Sequence, residues 1–207
     1  MFTLEESDKL EVLKSYVETS DCIWREVGIG KSVDNGFVIN KVFDNWVVFF
    51  NSDDLKVEMG IFVNYRDAIN DFITRIFNRD NIDKRISEYE LLEKQREDEV
   101  LDILGDILRK NGVSELEFSL SGSPLNKGMV LTKSFDNSWQ VAKVFMGSKQ
   151  SIASFRDLYT AAHELIGKLV GPDAAIAEEE FLFRTETTRT KTKKEKSTVK
   201  TLNCSVK

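Results

Sequence analysis

Asn35-Gly-Phe-Val-Ile-Asn-Lys-Val-Phe-Asp-Asn-Trp46 and Lys127-Gly-Met-Val-Leu-Thr-Lys-Ser-Phe-Asp-Asn-Ser-Trp139 share Gly, Val, Lys, Phe, Asp-Asn and, after the inserted Ser138, Trp. A match of this kind inside one chain predicts two copies of one small unit. In the first copy, Phe37 to Phe43 and Trp46 to Asn51 have the β-branched and aromatic composition of strands. Only Asp44-Asn45 separates them, and both residue types tolerate positive φ, so a tight hairpin is expected there. Ser52-Asp-Asp54 then turns the chain into a strand over Leu55 to Phe62, which predicts an antiparallel meander of three or four strands.

Helices are expected on both sides of this meander. After it, Asn64-Tyr-Arg-Asp67 supplies a cap and a first-turn carboxylate near the positive end of the dipole. Tyr65, Ala68, Ile69, Phe72, Ile73 and Ile76 then recur at helical spacing, an apolar stripe suited to lie on a sheet. Before it, Leu10, Leu13, Tyr16 and Val17 predict an opening helix over Leu4 to Thr19 with Ser7 as N-cap, and Cys22 to Ile29 a first strand. Asn78 to Lys110 is charged and free of proline, which predicts helix with a break near Asn81 and a C-cap at Asn111-Gly112.

The second copy is expected to follow the same order. Glu115 to Leu120, Met129 to Phe135 and Trp139 to Met146 read as strands, and Gly147 to Gln150 as a turn. Ser154-Phe-Arg-Asp157 repeats the helix start, and the helix carries Phe155, Leu158, Tyr159, Ala162, His163 and Ile166. The expected fold class is α+β, a tandem duplication of a helix, meander, helix unit. The units span 1–79 and 97–172, joined by a charged helical connector over 80–96. A short terminal helix over 173–183 and a basic, mobile segment over 184–207 complete the chain.

At 207 residues, 41% of them hydrophobic, the chain can bury a sizeable core. The net charge of −6 is unevenly spread: residues 184–207 carry +6 and the remainder −12. A body of that sign repels nucleic acid and attracts basic protein partners. The start of the chain lacks a basic and apolar leader, and no apolar run approaches membrane-spanning length, so a soluble cytoplasmic protein without membrane partners is expected. Cys22 and Cys204 are too few and too far apart for a disulfide framework or a zinc site.

Nothing in the chain has the spacing of a nucleophile elbow or a phosphate loop, and Gly28-Ile-Gly-Lys-Ser32 reads as a turn. Alignment of Arg66-Asp67 with Arg156-Asp157 places the single histidine, His163, opposite Ile73, in a core or rim role. Asp44 and Asp136 recur as turn residues rather than as a catalytic pair. Asp53, Asp54, Glu58 and Asp67 lack the spacing of a calcium loop, so no metal or cofactor is expected. Function is expected where the copies differ: Asn51 to Gly60 reads as longer and more acidic than Gly147 to Gln150, which makes Asp53, Asp54 and Glu58 candidate partner-binding residues. Trp46 and Trp139, at equivalent strand starts, are either packed on their own helices or anchors for a partner.

The meander leading into a helix, with Trp46 at a strand start and Phe62-Val-Asn-Tyr-Arg-Asp-Ala68 running into Phe72-Ile73, resembles the immunity proteins of bacterial polymorphic toxin systems. The likeness spans Phe37 to Ile76 and Met129 to Ile166, and no functional residue of that family maps onto the chain. The resemblance implies a non-enzymatic protein that neutralises a cognate toxin domain by occluding it. An acidic body suits a basic toxin domain, since opposite potentials speed encounter. The alternatives are a secretion-chaperone-like protein that binds an effector, and nucleic-acid binding through the basic C-terminal segment. That segment has no aromatic residue after Phe183 on which bases could stack.

Overall fold

The structure, a computed structural model, describes residues 2–22, 26–52, 55–77, 81–120, 122 and 125–203, leaving aside the side chains of 55, 56, 58, 59 and 189–203. The chain is α+β, with five α-helices and two four-stranded mixed sheets among the described residues. It divides into two compact units, Met1–Arg96 and Glu97–Lys207.

The first unit opens with α1, Leu4–Thr19. Its cap is Thr3, not the expected Ser7. The Thr3-x-x-Glu6 spacing allows a reciprocal pair, Glu6 N to Thr3 Oγ1 at 3.2 Å and Thr3 N to Glu6 Oε2 at 2.9 Å, which satisfies two first-turn donors at once. The sheet then follows as β1 (Val27–Ile29), β2 (Gly36–Val42), β3 (Asn45–Ser52) and β4 (Leu55–Phe62), in that order across the sheet.

β1 corrects the expected all-antiparallel meander, because it runs parallel to β2, with Val27 opposite Phe37. Parallel neighbours ordinarily need a crossover of about a dozen residues or more. Here β1 is only three residues long, so the return over 30–35 is enough. Gly30 turns into it at φ +67, and Asn51 Nδ2 fastens it by donating to Val33 O at 2.6 Å and Ser32 Oγ at 3.0 Å. The shared Gly36 is where the parallel strand comes closest: a Cβ there would lie 2.1 Å from Glu26 O.

The β2–β3 turn also departs from expectation. Val42 pairs with Asn45, so the turn is Phe43-Asp44, and Phe43 sits at φ +55. The core sets this register. Trp46 and Val48 must face inward opposite Lys41 and Ile39, and a slip of one residue would turn them to the other face. From β4 the chain enters α2, Tyr65–Ile76, capped by Asn64 Oδ1 accepting from Asp67 N at 2.8 Å. Ala68, Ile69, Phe72, Ile73 and Ile76 are all buried, as their spacing predicts, against Phe37, Ile39, Trp46 and Val48.

α3 is a single helix over Ile82–Lys110, preceded by Asn81 at φ +55. Tyr89 belongs to the core of the first unit, with Ile82, Ile86 and Leu92 beside it. Val100, Leu104, Ile107 and Leu108 belong to the core of the second unit. The helix closes at Asn111-Gly112, with Gly112 at φ +80 and Val113 N donating to Leu108 O at 3.0 Å.

In the second unit, β5 (Phe118–Ser119), β6 (Lys127–Lys133), β7 (Trp139–Phe145) and β8 (Ser148–Phe155) have the same order and the same senses as β1 to β4. Gly128 occupies the place of Gly36, and a Cβ there would lie 2.3 Å from Glu117 O. β8 stands where a turn over Gly147 to Gln150 was expected. The turn is Met146-Gly147, with φ +51 and +74, the two left-handed residues of a tight hairpin. Both last hairpins therefore leave two residues between paired ends, Ser52 with Leu55 and Phe145 with Ser148, so Asn51 to Gly60 is more acidic than its counterpart but not longer.

α4 is Leu158–Leu169, and its cap is Asp157 rather than Ser154, with Asp157 Oδ1 accepting from Thr160 N at 2.7 Å. Phe155 pairs with Trp139 as Phe62 pairs with Trp46, which places His163 opposite Asn70 and not Ile73. His163 is accordingly on the rim, 3.3 Å from Glu178. α5 runs over Ala174–Asn203, past the helix end expected at Phe183. Its sequence contains neither Gly nor Pro to stop it, and Ala177 and Phe181 seat its first turns in the core.

Candidate functional site

Trp46 and Trp139, 3% and 5% exposed, are core residues of their own units. Tyr65 meets the Trp46 ring edge-on at 4.7 Å, Phe2 stacks on it at 6.1 Å, and Lys133 Nζ lies 5.5 Å from the centre of the Trp139 ring. Neither indole is available as a surface anchor, which corrects the partner-binding expectation in favour of packing. Asp53 and Asp54 lie outside the described residues. Glu58 stands opposite Phe49 in the β3–β4 register, and its side chain is likewise outside them.

The residues that both units do expose lie at the tips of their first hairpins. Phe43 is 91% exposed and Phe135 is fully exposed, and each is followed by Asp. A bulky side chain at positive φ costs about 1–2 kcal/mol, so the fold alone does not favour Phe at position 43. The second tip is rigid. Ser134 N donates to Ser138 O at 2.7 Å, Asn137 N to Ser134 O at 3.0 Å, and Asn137 takes φ +63. Asp136 Oδ1 accepts from Ser138 Oγ at 2.7 Å and Ser138 N at 3.1 Å, and these donors hold its carboxyl below the usual carboxylate range. Each tip thus presents an aromatic ring beside a carboxylate. The signal was in the sequence: Phe precedes Asp-Asn in both copies, but a strand-ending reading of Phe43 hid its place in the turn.

The other concentration of polar chemistry is internal to the first unit. Tyr65 and Tyr89 hydroxyls are 3.2 Å apart, Tyr89 Oη donates to Glu93 Oε1 at 2.7 Å, and Arg96 holds Asp8 nearby. Burial pushes both tyrosines well above their ordinary pKa, and the Glu93 charge adds to it. Their folded-state pKa values are raised, so the stability they support is complete below pH ~10 and is lost as pH rises beyond it. Urea denaturation at increasing pH should show this. The wild type is expected to lose on the order of 1.4 kcal/mol per pH unit, for each hydroxyl kept neutral, relative to Tyr65→Phe/Tyr89→Phe. An unchanged difference between the two proteins across that range would contradict a buried neutral pair.

Among the described residues no group of three His, Cys, Asp or Glu side chains is placed to hold a metal ion, and no helix is long and apolar enough to cross a membrane. No family model, curated protein or solved structure matches the chain.

Proposed function

We propose that the chain is a non-enzymatic protein-binding module, an immunity protein that neutralises a cognate basic toxin domain by binding and occluding it. The observation that carries this reading is the pair of hairpin tips, each an exposed Phe followed by Asp. Burying one such ring in a partner's pocket is worth about 1.5–3 kcal/mol, and a carboxylate beside it selects a pocket rimmed by Lys or Arg. The net −12 of residues 1–183 supports the same partner, through steering that weakens as salt screens it.

Co-expression with the protein encoded beside its gene tests the reading. The wild type is expected to relieve the growth arrest that the neighbour causes and to co-purify with it. Phe43→Ser/Phe135→Ser is expected to weaken that complex by about one to two orders of magnitude while leaving the fold intact. Absence of both relief and complex for the wild type would refute the proposal.

A further inference from the structure

The outer faces of the two sheets, away from their helices, differ at matched positions. Val47 pairs with Ile61 in the first sheet, and Gln140 pairs with Ser154 in the second, each pair one step beyond a Trp–Phe pair. Val42 and Ser134 precede the tip phenylalanines, and Val63 and Arg156 precede the helix caps. In the second sheet these places form a polar surface, with Gln140 Nε2 donating to Ser134 Oγ at 3.3 Å and Ser154 Oγ to Ser138 Oγ at 3.2 Å. In the first they are all apolar, and Val42, Ile61 and Val63 are 47%, 60% and 85% exposed. The second sheet shows that the architecture does not require apolar residues there. The other half of the first outer face is already closed, since Val38 and Phe49 are buried and Asn51 ties down the return over 30–35.

We propose that this bare half-face, centred on Val47 and Ile61, is the surface on which a second copy of the chain docks. Charge selects that occupant. Residues 1–96 contain 13 Lys or Arg and 19 Asp or Glu, so two copies repel over most of this unit's surface. The half-face is where they can meet without opposing like charges: its strand neighbours Asn40 and Asn45 are neutral, and Lys41 and Arg66 are each engaged by a carboxylate, Glu6 and Glu90. Only Asp44 stands at the rim. A charge-free apolar centre is characteristic of contacts between like copies, whereas unlike transient partners meet on surfaces no more apolar than average. With Phe43 at its edge the patch offers about 500 Å² of apolar surface, within the range of functional patches. That forms the centre of an interface needing about 800 Å² per partner, with the asparagines as its rim.

Sedimentation velocity of the full chain, over a range of concentrations at low and at high salt, tests the proposal. The wild type is expected to pass from monomer to dimer with concentration, and more readily at high salt, which screens the repulsion between two acidic copies. Val47→Gln/Ile61→Ser installs the residues that the second sheet carries and is expected to raise the dissociation constant about tenfold or more, since two-fold symmetry counts each change twice. Val47→Thr, which keeps the shape, serves as the second variant and is expected to weaken the dimer in the same direction. Phe135→Ser should leave it unchanged. A wild type that stays monomeric at every concentration, or a Val47→Gln/Ile61→Ser protein that dimerises as well as the wild type, would overturn the proposal. Either result leaves the capture of a basic partner standing, because that complex weakens with salt and depends on Phe135, whereas the dimer strengthens with salt and does not.

Discussion

Gly36→Ala is expected to destabilise the first unit by at least about 3 kcal/mol, the upper range for an atom forced into a packed interior, and Gly128→Ala to do the same in the second. The added Cβ would lie 2.1 Å from Glu26 O and 2.9 Å from Glu26 C in one case, and 2.3 Å from Glu117 O in the other. These are backbone atoms, so no side chain can rotate aside; the parallel strand itself must move away. Gly128 has the further penalty of φ +142. Gly147→Ala is the control, because it shares a positive φ of +74 but meets nothing within 4 Å, and should cost only about 1 kcal/mol. Urea denaturation ranks the three, and hydrogen exchange at Val38 and Ile39 should show Gly36→Ala opening the β1–β2 edge first. Equal losses for Gly36→Ala and Gly147→Ala would mean that the parallel strand does not lie this close.

That pair of glycines shows what the sequence could and could not reveal. Their recurrence was plain, and so was the strand composition around them, but the partner that makes glycine necessary is the carbonyl of a strand too short to leave a pattern. The α2 stripe was readable because five buried residues recur at a period that only a helix has. The hairpin at Phe43-Asp44 was misplaced by one residue because turn rules assign positive φ to Asp or Asn, while the core register assigns it to Phe. The α4 start was misplaced because Ser154-Phe-Arg-Asp157 imitates Asn64-Tyr-Arg-Asp67 in chemistry, although Ser154 belongs to β8.

The exposed surfaces were harder to see than the fold. Trp46-Val-Val-Phe-Phe50 is a continuous apolar run, and such a run does not say which of its two faces is covered. Val48 is buried by α2 and Phe49 lies on the face closed by the return over 30–35, whereas Val47, between Trp46 and Val48, has neither cover. Only the pairing with Ile61, set beside Gln140 and Ser154 in the other sheet, separates it from its neighbours. The tryptophans drew attention as anchors for the opposite reason: their size suits an interface, but it equally suits the core that holds them.

Asp8→Ala is the other large loss expected, about 3–5 kcal/mol, although a lone surface pair would be worth no more than about 1 kcal/mol. Arg96 Nε lies 3.0 and 2.9 Å from the two carboxylate oxygens of Asp8, and both side chains are only 11% exposed. The pair joins α1 to α3 beside the Tyr65–Tyr89–Glu93 chain of hydrogen bonds. Water solvates neither group fully, so removing the carboxylate leaves a guanidinium in the interior without its main counter-charge. The cost therefore measures the stranded charge more than the strength of the pair. Asp8→Leu/Arg96→Met removes both charges and keeps the volume, so it should fall within about 1 kcal/mol of the wild type or exceed it in stability. Urea denaturation of the wild type, Asp8→Ala and Asp8→Leu/Arg96→Met makes the comparison. If Asp8→Ala unfolds within 1 kcal/mol of the wild type, Arg96 reaches water in the folded state and the pair belongs to the surface.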